Sequence, residues 1–132
     1  MDESLEKQLI DKFSFYTIHN ENDEDYQTAF DCGSGWFNLI LEMSEDIRDL
    51  IESKYDGNLD FTISYMKEKF GTLSIFTFGC PDDIDYIISQ AEHDSGHICE
   101  QCGELGELRE MHMWVYTRCD KCWNIIKEIN KK

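Results

Sequence analysis

Basic side chains are scarce in this chain: 12 Lys and Arg stand against 28 Asp and Glu, a formal net charge of −16. A surface of that sign repels phosphate backbones, so nucleic acid is not expected as a partner; it suits a basic protein, or simply keeps the chain soluble. Long apolar runs are also missing. No stretch approaches the length of a bilayer span, and residues 1 to 20 have neither a basic start nor a continuous apolar segment, so we expect no membrane association and a cytosolic protein. The glycine-bearing stretch DCGSGWF, Asp31 to Phe37, lacks the Gly-Lys-Ser/Thr ending of a phosphate loop, so its glycines are read as a close turn that drops Trp36 into the core. Carboxylates are so abundant that no acid/base pair stands out by proximity, and no enzyme is expected.

With 132 residues the chain has room for one core, or for a compact body with a small appended module. The charge is uneven: residues 1 to 66 carry a net −12 and residues 67 to 132 a net −4. Leu5, Leu9, Ile10 and Phe13 recur at helical spacing, which suggests a short first helix. His19 to Tyr26 reads as a polar loop, with short extended segments around Phe15 to Ile18 and Tyr26 to Phe30. The clearest helix starts near Ser34 or Gly35 and ends near Tyr55. Trp36, Leu39, Ile40, Met43, Ile47, Leu50 and Ile51 mark its apolar face, and Asp56-Gly57 supplies the stop. Glu42, Glu45, Asp46, Asp49 and Glu52 crowd the other side, with only Arg48 and Lys54 to offset them. Like charges at this spacing weaken a helix, so the row is a candidate partner-binding face, weighed against a merely solvated one.

Residues 59 to 78 read as a hairpin. Phe61, Ile63 and Tyr65 alternate on one arm, Lys69 to Gly71 turn, and the second arm is apolar on both faces near its end, so that strand is expected to be central or covered by a helix. Pro81, the single proline, suits the start of another helix, whose stripe is Ile84, Ile87, Ile88 and Ala91 and which Ser95-Gly96 breaks.

Two Cys-x-x-Cys pairs follow, Cys99 with Cys102 and Cys119 with Cys122. In a reducing compartment close pairs bind metal more often than they form disulfides. Two such turns complete a tetrahedron of thiolates, and four thiolates leave no open position for catalytic water, so a structural Zn²⁺ is expected. The residues between the pairs suffice for a hairpin, Leu108 to Met111 and Met113 to Thr117. Trp114 and Tyr116 are expected to bury against a final helix, in which Trp123, Ile125, Ile126 and Ile129 pack back on the body. A zinc-ribbon and a treble-clef-like module both fit. The fold class is therefore α+β: an acidic body over 1–96, with a hairpin packed by helices, and a four-cysteine zinc module over 97–132. Cys32 and Cys80 read as inert buried thiols, and His93 with His97 as a weak second metal candidate.

GSGWFNLI, MKEKFGTLSIF and the CEQC and TRCDKC pairs together resemble a group of small, largely uncharacterised phage and prophage proteins. That group has a Gly-Trp near a helix start, a Lys-Glu-Lys-Phe-Gly-x-Leu segment and a C-terminal zinc knuckle pair. The likeness covers residues 33 to 132 through Gly35, Trp36, Lys67, Glu68, Lys69, Phe70, Gly71, Leu73 and the four cysteines. It implies no catalytic residue. The family pattern has an arginine after the leucine where this chain has Ser74, so no phosphate-binding role carries over. The resemblance makes Lys67 and Lys69, at the hairpin tip, a candidate contact surface, and places the protein in the cytoplasm of a bacterial host. The expected function is then non-enzymatic: an acidic, zinc-stabilised protein that binds and inhibits or regulates a basic partner, as in phage counter-defence or toxin immunity. The alternative is a nucleic-acid-binding or transcription-related zinc ribbon, which would need Lys67, Lys69, Arg109, Arg118 and Lys121 on one face.

Overall fold

A computed structural model describes residues 1–22 and 24–130; Asp23, within the acidic loop, lies outside the described residues. Helix α1, Glu3–Lys12, is capped by the Asp2 side chain, which accepts from the Ser4 amide, and it ends where Phe13 turns extended. Phe13, Phe15, Tyr16, Phe30 and Phe61 then form a run of touching rings, with centroids 4.9 to 6.1 Å apart. Two short strands, β1 (Thr17–Ile18) and β2 (Tyr26–Gln27), pair antiparallel around the acidic loop, and β3 (Ala29–Asp31) follows at once. The long helix α2 spans Phe37–Tyr55, entered through a single 3₁₀ turn over Ser34–Trp36. Asp56 and Gly57 both take left-handed φ at its end, and the Gly57 amide bonds back to the Ile51 carbonyl.

Strands β4 (Thr62–Lys69) and β5 (Thr72–Phe78) form the expected antiparallel hairpin. Strand β3 adds to it in parallel, a pairing that local periodicity does not signal, with Phe30 opposite Met66, giving the sheet order β3-β4-β5. A bulge at Ser64 also shifts the pleat. Phe61 and Ile63 point to the core as expected, but beyond the bulge Met66 replaces Tyr65 there. Tyr65 instead stacks on Phe76 across the open face, centroids 4.8 Å apart. Period-two reading fails at this point because one extra residue exchanges the faces.

Strand β5 lies at the sheet edge rather than in its centre. Helix α3 (Asp82–Asp94) covers its inner face, while Phe76 and Phe78 stay exposed on the outer one. The edge is blocked by side chains. The amides of Leu73 and Ile75 donate to Ser95 Oγ at 2.8 Å and to a Glu92 carboxylate oxygen at 2.9 Å. Trp36, Ile40, Ile47, Ile63, Met66, Leu73, Ile84 and Ile88 fill the core between sheet and helices.

Burial raises the Glu92 pKa, outweighing the Ile75 hydrogen bond that lowers it. A carboxyl raised on folding favours the folded state most below its ordinary range, and that contribution is lost as pH rises through the folded value. Glu92→Gln keeps an acceptor for Ile75 and removes the half-buried charge. Its melting temperature is expected to exceed wild type at pH 7 and to converge with it below about pH 4, near the ordinary glutamate pKa; a melt series over pH checks this.

Candidate metal centre

The C-terminal module begins with a tight knuckle. Cys99 N donates to Glu104 O at 2.8 Å, Gly103 N to Cys99 O at 2.9 Å, and Gly103 takes φ +85°, which its lack of Cβ permits. Strands β6 (Glu107–Met111) and β7 (Trp114–Arg118) follow in regular antiparallel register. Helix α4 (Asp120–Asn130) starts directly after Cys119, so the second cysteine pair stands at a helix start, where Cys122 N donates to Cys119 Sγ at 3.4 Å. Knuckle, hairpin, then helix is the treble-clef arrangement. A ribbon would place the second pair in another knuckle.

All four thiol sulfurs lie within 4.8 Å of one another, and Cys102 and Cys119 are 3.6 Å apart. A zinc ion held by bonds of about 2.3 Å sets tetrahedral edges of roughly 3.8 Å, so the set fits one ion of that size. Cys99 is wholly buried and Cys122 nearly so, whereas Cys102 faces solvent. Burial pushes the Cys99 thiol up, but the backbone amides of Cys119, Cys102 and Gln101 aimed at its sulfur outweigh that and bring it down to about 7. Burial and the three neighbouring thiols push Cys122 up to about 12. One sulfur is thus readily ionised and another resists, because thiolates at this spacing repel one another; a bound cation is what lets all four ionise.

The module is built into the body through the DCGSGWF turn. Gly35 N donates to Glu100 O at 2.7 Å, and the Trp36 indole donates to Ile98 O at 2.8 Å. A Cβ on Gly35 would lie 2.2 Å from the Cys99 carbonyl oxygen, and one on Gly33 would lie 2.4 Å from that of Glu100. The glycines therefore let the knuckle backbone lie against this turn. Glu100 is buried, and its carboxylate accepts from Gly33 N at 2.8 Å and from Arg118 Nη1 at 3.2 Å. No spacing rule marks it, because its partners lie 67 residues before and 18 after in sequence. A second seam joins the β4–β5 tip to β7, where Thr117 Oγ1 donates to the Gly71 carbonyl.

The carboxylate row on α2 divides. Glu45 pairs with Lys12 at 3.7 Å and Asp49 with Arg48 at 3.3 Å, while Glu42 and Asp46 are exposed and have no ion pair among the described residues. Glu52 is exposed beside the recess that Lys12 and Arg48 also line. Lys67 and Lys69 share one face of β4. The Lys67 ammonium lies 5.9 Å from the ring centres of both Tyr65 and Phe76, and Glu68 turns the other way to accept from Gly71 N at 2.6 Å.

Other expectations fail locally. Trp114 is 69% exposed rather than buried, beside Phe70 and Met113 at 75% and 93%, and only Tyr116 reaches Trp123, at 6.0 Å. Helix α4 packs through Trp123 and leaves Ile125 and Ile129 outside. Phe70, His112 and Met113 hold left-handed φ in two adjoining hairpin turns, a cost of about 1 kcal/mol or more each for non-glycine residues. His93 and His97 stack edge to face at 5.5 Å on the surface, and the cysteine set alone, among the described residues, gathers three or more ligands. Burial holds the Cys32 thiol at about 12, which suits an inert residue.

Comparison with known proteins finds no matching family model, no similar curated sequence and no similar solved structure. No helix among the described residues is long and apolar enough to cross a membrane.

Proposed function

We propose that this is a non-enzymatic protein whose four cysteines hold a structural zinc and whose acidic surface binds, and thereby inhibits or regulates, a basic protein partner. The observation that carries the reading is the state of the α2 face, where Glu42 and Asp46 stand exposed without an ion pair among the described residues. Unpaired carboxylates make the local potential more negative, steer a cationic partner in, and gain their counter-charge only on binding. Zinc is the metal that four soft thiolates favour, and a filled thiolate tetrahedron offers no site for a reacting water. The resemblance to phage and prophage proteins supports a host defence protein or a toxin as the partner class. Support for the nucleic-acid alternative is weaker. Arg109 is taken up by Glu107 and Asp120, and Arg118 by Glu100, which removes two of the five cations that reading needs.

The test is affinity capture from a bacterial lysate on the zinc-loaded protein, with and without nuclease, read by mass spectrometry. Basic proteins retained after nuclease support the reading, and recovery that depends on intact nucleic acid refutes it. Reversing Glu42, Glu45 and Asp49 to lysine is expected to abolish that retention without lowering the melting temperature, since no more than exposed ion pairs worth under about 1 kcal/mol each are lost.

A further inference from the structure

Helices α2 and α3 leave a groove of about 230 Å³ between them, lined by Leu39, Met43, Ile87 and Ala91 along its floor and by Glu42, Asp46, Tyr86 and Asp94 on its rim. The floor is apolar: Met43 and Ala91 are buried, and Leu39 and Ile87 half-buried. The rim holds three carboxylates drawn from both helices and no cation, and none of the three is in an ion pair among the described residues. Tyr86 stands 71% exposed above the groove, offering a ring with one polar end. The same helix α2 places Glu45 and Asp49 away from this groove, where they have Lys12 and Arg48 as partners. Of the row's members without an ion pair among the described residues, Glu42 and Asp46 lie beside an apolar floor, while Glu52 stands at the recess that Lys12 and Arg48 line.

We propose that this groove, rather than the acidic row as a whole, is the docking site, and that it takes a cationic amphipathic segment of a partner protein, in which an apolar side chain is flanked by Lys or Arg. This rests on the proposed acidic-surface function and narrows it. The apolar residue fills the floor between Met43 and Ile87, the flanking cations meet Glu42 and Asp46 on one wall and Asp94 on the other, and Tyr86 closes over an aliphatic or guanidinium stem. Charge selects against the other occupants. A second copy of a chain with net charge −16 meets repulsion, and an uncharged apolar segment would leave three carboxylates beside a drying surface without partners.

The probe is a synthetic amphipathic peptide with lysines four residues apart flanking leucines on one helical face, compared with a scrambled peptide of identical composition, by fluorescence anisotropy at physiological salt. The wild-type chain is expected to bind the amphipathic peptide at least about 10-fold more tightly than the scrambled one. Glu42→Lys with Asp46→Lys should erase that preference, Tyr86→Ala should weaken it several-fold, and Glu45→Lys with Asp49→Lys, an equal change of charge, should leave it in place. Equal binding of the two peptides, or equal loss in both double variants, overturns the groove while the acidic-surface reading stands. No binding of either peptide refutes both.

Discussion

Cys99→Ser is expected to lose the metal and unfold at least residues 97–130, with a fall in thermal stability larger than any other single change discussed. The residue is wholly buried, its sulfur is the one its surroundings most readily ionise, and its backbone carbonyl and amide close the knuckle. A serine hydroxyl in its place is a poor ligand, so the set drops to three sulfurs. Structural zinc contributes roughly 10–16 kcal/mol in small metal-dependent folds, as much as or more than the ~5–15 kcal/mol that holds a whole domain together. The module has little to replace it with: Ile125 and Ile129 of α4 stay in solvent, and Cys122 and Trp123 are its buried apolar contacts from that helix. Metal content and a thermal melt of the variant check this, and a variant that melts like wild type without metal would show that the cysteines are not structural ligands.

Gly35→Ala is expected to be the next most damaging change although it adds one methyl group. The new carbon would sit 2.2 Å from the Cys99 carbonyl oxygen and 2.5 Å from the Glu100 carbonyl carbon, both main-chain atoms. Relief requires moving the knuckle off the turn, which breaks the Gly35–Glu100 and Trp36–Ile98 hydrogen bonds and draws the buried Trp36 from its site. The expected loss is about 3 kcal/mol, at the upper end for overpacking, or roughly 10 °C of melting temperature in a chain of this size. Gly96→Ala is the control, since its nearest neighbour would be Thr72 Cγ2 at an ordinary 3.6 Å. If both variants melt alike, the close approach at Gly35 does not matter to the fold.

Local signals were legible in the sequence where one element decides its own state. The apolar stripe of α2 and its Asp56-Gly57 stop, the Pro81 start of α3, and the four cysteines all depend on residues a few positions apart, and the structure puts each where its pattern implies. What stayed hidden depends on distant partners. The parallel addition of β3, the burial of Glu100 against Gly33 and Arg118, and the capping of β5 by Glu92 and Ser95 each join segments that periodicity does not connect. The bulge at Ser64 is intermediate: a single extra residue that reverses the faces leaves no mark in composition. In the sequence the acidic row is one surface, and only the packing of α3 separates Glu42 and Asp46 from the paired Glu45 and Asp49.

The glycine turn implies that the metal site does not merely fold the C-terminal module but holds it to the body that presents the acidic face. Amide hydrogen exchange, followed on the same sample before and after chelation of the metal, reads both parts at once. Stripping the metal is expected to deprotect the knuckle and α4 and also the amides of Gly33 and Gly35 in the body, because both donate to Glu100, which is released with the knuckle. Deprotection confined to residues 97–130, with those body amides unchanged, would contradict it.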